Sequence, residues 1–255
     1  MNRDNRQNIE IRFYSGKSLL HGMLHLPDSL LLSSLPPLVV GSHGFEGSME
    51  SAKQQLLSKI LPQNGFAFLR FSHRGCKKSE GDFVKDTSIA KRVEDLISAV
   101  DNALKLQLTK KRQIFLFGSS LGGSTVIATW QSLADKGLSP LGAILCAAPV
   151  NSMTIQRIPL NGNDLHPPLP ISFFEKNLLF DLTDRLANLS NILIFHGDQD
   201  KTVPIENGYT IYKHVKEPKE LIILKDGDHQ MSNKKDQELF KVEALKWLKK
   251  TINQD

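Results

Sequence analysis

Cysteine is scarce: Cys76 and Cys146 are the two in 255 residues. That excludes a disulfide framework and a cysteine-built zinc cluster. Aromatic side chains make up 7% of the chain. The basic runs (Lys77 and Lys78; Lys110, Lys111 and Arg112; Lys234 and Lys235; Lys249 and Lys250) lie far apart, without the aromatic interleaving of a base-stacking platform. The balance of 32 basic against 27 acidic residues, net +5, therefore reads as solvated surface, and no nucleic-acid partner is expected. No run approaches the ~18 apolar residues of a membrane-spanning helix. Residues 1–8 are polar, without the apolar core of a secretory signal. A cytoplasmic protein with no membrane partner is the expectation. Internal repeats and low-complexity tracts are absent too.

What is present is 40% hydrophobic and 23% charged sequence, too apolar for a disordered chain. As one domain over 1–255, it would bury roughly 70–75% of its extended-chain surface. Short apolar runs at 38–40, 66–71, 113–117, 142–148, 192–195 and 221–224 are each bounded by turn residues. That is how strands buried on both faces of a parallel sheet read. Between them lie helical patterns. Ile89, Val93, Leu96, Ile97, Val100 and Leu104 recur in steps of three and four after Thr87-Ser88, a plausible cap. Leu239, Val242, Leu245 and Leu248 repeat the spacing near the end. Residues 9–14 and 19–26, joined across Ser15-Gly16-Lys17, read as an antiparallel hairpin at a sheet edge. The alternation predicts an α/β fold, a mostly parallel sheet of about eight strands flanked by helices. The segment 151–190 breaks the rhythm with Pro159, Pro167, Pro168 and Pro170, and reads as a small, partly helical cap insertion.

The strongest motif is Gly118-Ser119-Ser120-Leu121-Gly122-Gly123, after the apolar strand 114–117 and before a helical pattern at Thr125. Gly-x-Ser-x-Gly between strand and helix is a nucleophile elbow: a sharp, strained turn that lifts the serine oxygen above the sheet edge. The following helix would aim its N-terminal N–H groups at the same point. Ser120 is the candidate nucleophile.

A serine hydroxyl needs a base. His229, in Asp226-Gly227-Asp228-His229-Gln230 after the last strand, would open on the same sheet edge. His21 and His25 alternate on the edge hairpin and read as structural, and His214 as a surface residue. A base in turn needs a carboxylate that fixes its tautomer. Asp198 and Asp200 both follow the strand at 192–195. Asp198 sits early in the turn, where Asp commonly caps its own backbone, so Asp200 is the choice. The second oxyanion donor, beside the Leu121 N–H, should come from His43-Gly44-Phe45; the Phe45 N–H is selected.

Jointly these motifs resemble an α/β-hydrolase. More closely, the chain is similar to short hydrolases related to cinnamoyl (feruloyl) esterases, serine aminopeptidase-like hydrolases and prolyl-oligopeptidase catalytic domains. The residues are His43-Gly44-Phe45, Arg74-Gly75 followed by Ser79-Glu80-Gly81, Gly118-x-Ser120-x-Gly122-Gly123, His196-Gly197-x-x-Asp200-x-x-Val203-Pro204, and His229. The resemblance covers nearly the whole chain. Relatives often carry an acidic residue where Ser72 stands and a glycine where Lys77 stands.

The expected activity is hydrolysis of small carboxylic esters through an acyl-enzyme on Ser120, with neutral His229 as base and Asp200 orienting it. Thioester or peptide hydrolysis, acyl transfer, or a ligand-binding protein with a vestigial site stay open. No cofactor and no metal are expected, and the chain could be a monomer or a homodimer. Phe173, Phe174 and His166 in the cap are candidate substrate contacts.

Overall fold

Side chains two apart on a strand share a face, and the central strands alternate accordingly. Leu38, Val40, Ile114, Leu116, Ala143, Leu145, Ile192 and Ile194 enter one buried cluster. Val39, Phe115, Phe117, Ile144, Leu193 and Phe195 enter another. A computed structural model describes residues 8–28, 34–164 and 166–253. The reading of residues 1–8 lies outside these except at Asn8.

The hairpin forms as β1 (Asn8–Ser15) and β2 (Ser18–His25), antiparallel from Asn8↔His25 to Ser15↔Ser18. β3 (Leu38–Ser42), β4 (Ala67–Phe71), β5 (Ile114–Ser119), β6 (Gly142–Cys146), β7 (Ile192–Gly197) and β8 (Lys219–Leu224) follow. Over the described residues they make one eight-stranded sheet, ordered β1-β2-β4-β3-β5-β6-β7-β8. β2 meets β4 antiparallel and the remaining pairs are parallel. Chain order reverses direction around β3, and crevices at such switch points are where open α/β sheets hold ligands. The β3–β5 register sets Ser42 opposite Gly118. The loop after β3 therefore lies beside the turn after β5.

α1 (Ala52–Gln63) and α7 (Lys234–Ile252) cover one face, through Leu57, Leu61, Phe240, Ala244, Trp247 and Leu248. α2 (Phe83–Asp86) is a single turn. α3 (Ile89–Lys105), α4 (Leu121–Asp135) and α6 (Glu206–His214) contribute to the other face. α3 starts where expected, its Ser88 hydroxyl accepting the Lys91 N–H.

Three expectations need correction. β8 is only half-buried, because as the outer strand it pairs with β7 alone. α7 buries only part of the stripe read: Leu248 is buried and Leu245 packs against the core, but Leu239 and Val242 are 40% and 59% exposed, while Phe240, Ala244 and Trp247 also face inward. The buried face is turned towards Phe240 and Trp247, because burying their bulky aromatic rings removes more apolar surface from water. The segment 151–190 holds α5 (Ile171–Asn177) and two short 3₁₀ turns. Its last part belongs to the body, since Leu182, Leu186 and Leu189 enter the main core.

Candidate active site

Ser120 sits between β5 and α4 at φ 54°, ψ −128°. A non-glycine residue there carries about 1–3 kcal/mol of strain that its surroundings must offset. The Ser120 N–H donates to the Cys146 carbonyl at 2.8 Å, and the Ser120 carbonyl accepts from Gly123 N–H at 2.7 Å. Two glycines make room. A Cβ on Gly118 would lie 2.5 Å from the Gly122 carbonyl oxygen, and one on Gly122 would lie 2.1 Å from the Ser42 carbonyl oxygen.

The loops after β7 and β8 bring the other two candidates to this turn. His229 Nε2 lies 3.0 Å from Ser120 Oγ, and His229 Nδ1 lies 2.7 Å from Asp200 Oδ2. Asp200 Oδ1 accepts the Thr202 and Val203 N–H groups at 2.8 and 2.9 Å. Burial raises the Asp200 pKa, but the His229 bond and charge, with those two N–H groups, outweigh it and hold the carboxyl below its usual value. Asp198 is separate: its carboxylate accepts the Asp226 N–H at 2.7 Å, tying one loop to the other. Buried His196 donates from Nε2 to the Val203 carbonyl, 3.6 Å from Asp200 Oδ2.

Around the loop after β3, the sequence reading missed most of the supporting residues. His43 Nδ1 donates to the Gly44 carbonyl at 2.7 Å, and its Nε2 accepts the His73 N–H at 3.0 Å. This fixes a neutral tautomer. Burial, then Arg92 and His73, push the His43 pKa well down. In a trans peptide the C=O and the next N–H point oppositely. Holding the Gly44 carbonyl therefore turns the Phe45 N–H away from His43. Among the described residues, neither the Phe45 nor the Leu121 N–H has a hydrogen-bond acceptor. Arg92, fully buried on α3, donates to the His43 carbonyl and to Thr125 Oγ1. A lone arginine in an amphipathic helix gives no sequence signal of such a role.

Of the three cap residues, Phe173 and His166 are buried and Phe174 is half-buried. Phe45 touches all three rings, with centroids 5.6–6.2 Å apart, and His166 stacks on Phe83 at 4.8 Å. His166 Nε2 reaches Glu46 Oε1 at 3.2 Å. Glu46 is exposed and bonds the overlying segment. Lys77, at the position where relatives often have glycine, adopts φ 53°. Cys76 is buried, and burial pushes its thiol up to about 11. Among the described residues no group of three His, Cys, Asp or Glu is arranged to hold a metal ion.

The sheet order and the loops carrying these residues define an α/β-hydrolase fold. A ferulic acid-bound Est1E structure from Butyrivibrio proteoclasticus superposes with TM-score 0.76 at 21% identity, over 95% of this chain and 99% of that one. Mouse Alpha/beta hydrolase domain-containing protein 10 superposes at 0.70 and 17%, over 95% and 99%. The chain belongs to the family described as Serine aminopeptidase, S33 (Hydrolase_4), whose model matches residues 35–164. That match contains the Phe45 loop and Ser120 and ends before Asp200 and His229. Among curated relatives, "Uncharacterized protein YfhR" of Escherichia coli O157:H7 is 29% identical over 193 residues, 75% of this chain and 62% of its own length. "Palmitoyl-protein thioesterase ABHD10, mitochondrial" of Mus musculus is 25% identical over 227 residues, 80% of this chain and 73% of its own. The chain thus spans about three-fifths of the YfhR length.

Proposed function

We propose that the protein is a serine hydrolase that cleaves small carboxylic esters through an acyl-enzyme on Ser120. The observation that carries this reading is the continuous hydrogen-bond chain Ser120 Oγ–His229–Asp200, at 3.0 and 2.7 Å, on a strained strand-to-helix turn. In the proposed cycle, neutral His229 removes the Ser120 proton as Oγ attacks the acyl carbon, and Asp200 stabilises the imidazolium. The Leu121 and Phe45 N–H groups hold the oxyanion; one such donor is typically worth ~10²–10³ in kcat. The imidazolium then protonates the leaving alcohol. A water, deprotonated by the same ring, releases the acid. The ring must be unprotonated at Nε2 to take that proton.

The test is turnover of p-nitrophenyl acetate and butyrate. Ser120→Ala should lose at least ~10³-fold in kcat; retention of the wild-type rate overturns the reading. A thioester reading draws support from the name of the mouse relative. A matched pair of ester and thioester substrates with one acyl group decides between them by kcat/KM.

A further inference from the structure

Lys53 is the second residue of α1 and only 8% exposed. Both facts are unfavourable for an ammonium group. Burial costs solvation, and the first turn of a helix carries the positive end of its dipole. Burial pushes the Lys53 pKa down, against the pull of Cys146, Asp228 and Asp200. A side chain so placed needs compensating partners, and the two it has are main-chain carbonyls of the base loop: Gln230 at 3.0 Å and His229 at 3.4 Å.

The loop from Leu224 to α7 is otherwise tied near its ends. Asp226 N–H reaches Asp198, and the Gly227 carbonyl accepts the Gln199 N–H. Ser232 N–H bonds Asp228 Oδ1. In between, Met231 takes φ 60° and drops its side chain into the core. Among the described residues, Lys53 is the one side chain that grips the loop at the His229 and Gln230 carbonyls.

We infer that Lys53 is a positioning residue for the base: its ammonium clamps the His229 and Gln230 carbonyls to α1 and keeps the imidazole aimed at Ser120. The inference rests on the function proposed above. It adds that the loop after β3 and the loop carrying the base are coupled, because α1 follows the first and grips the second. A shift of about 1 Å at a reacting group can cost ~10²-fold, so a partial loosening should be plainly visible in kcat.

Lys53→Met keeps the aliphatic stem and removes the donors. Its kcat on p-nitrophenyl butyrate is measured per Ser120 labelled to completion by a fluorophosphonate, so misfolded protein does not count. The expected result is a loss of about tenfold, and at least fivefold, with KM within twofold. In a His229→Ala background, where there is no imidazole to aim, the same change should alter the residual rate less than twofold. A loss below fivefold per labelled site, or equal losses in both backgrounds, overturns the inference. Should Lys53→Met not fold, Lys53→Gln carries the same comparison. Failure of the underlying reading shows separately, as turnover that survives Ser120→Ala.

Discussion

Ser42, His73 and Asp95 repeat the hydrogen-bond pattern of the candidate site in a place where it can do no chemistry. Ser42 Oγ lies 2.9 Å from His73 Nε2, and His73 Nδ1 lies 3.2 Å from Asp95 Oδ2. All three are at most 1% exposed. Burial, then Arg92, brings the His73 pKa down to about 4. What distinguishes Ser120 is its strained turn, its exposure beside free N–H groups and a base reached by solvent, not the chain of three residue types. The same scale separates the two acids. In Asp200→Asn the Thr202 and Val203 N–H groups would hold the amide oxygen and turn the NH2 towards His229 Nδ1, which loses its acceptor, so kcat should fall at least ~10³-fold. Asp198→Asn keeps an oxygen for the Asp226 N–H and should lower kcat less than ~10-fold. Steady-state kinetics of the two variants checks the assignment, and a reversed order contradicts it.

At the scale of elements, the turn between β5 and α4 is held by contact between backbones. Gly122→Ala would force a methyl against the Ser42 carbonyl, 2.1 Å away. Such a change should cost more than about 1 kcal/mol, lowering Tm by more than ~2–4 °C, with kcat falling as Ser120 is displaced. Calorimetry and kinetics on one variant read both. The segment above the site is pinned to the loop after β3 through Glu46 and His166. Glu46→Ala should therefore speed amide exchange over residues 160–178 while leaving the sheet protected.

The sheet, its hairpin edge and the positions of Ser120, Asp200 and His229 were legible because each follows from a local signal: an apolar run ending in a turn. The inward face of α7 was legible only in part: Leu245 and Leu248 pack inward as read, but packing volume favours Phe240 and Trp247 over Leu239 and Val242. His43, Arg92 and Lys53 were not legible as supports, because their partners are mostly main-chain groups that any sequence possesses. The half-burial of β8 depends on its place at the sheet edge, which the spacing of apolar residues does not reveal.

On the scale of the whole molecule, burial of uncharged imidazoles sets the response to acid. His25 and His73 are pushed down to about 4, and His43 well below its usual value, burial being the first cause in each. Below the ordinary histidine pKa of about 6.5, the unfolded chain binds protons that these rings refuse when folded, so stability falls as pH drops. For His43 and His73 the slope approaches about 1.4 kcal/mol per pH unit each. Asp95 acts in the same direction lower down. Burial raises it, but the bonds and charges of His73 and Arg74 bring it down to about 2. Its contribution is complete above about pH 4 and fades towards pH 2. Tm measured from pH 7 to pH 4 should fall continuously, with the steepest loss beginning near pH 6.5.

The most direct test of the account is the covalent intermediate itself. The protein is mixed with p-nitrophenyl acetate, quenched in acid during turnover, digested and read by mass spectrometry. The account predicts one acetyl group on the peptide bearing Ser120, formed as a burst of p-nitrophenolate and absent in Ser120→Ala. Ester turnover with no acetylated Ser120, or with the label on another side chain, would contradict it.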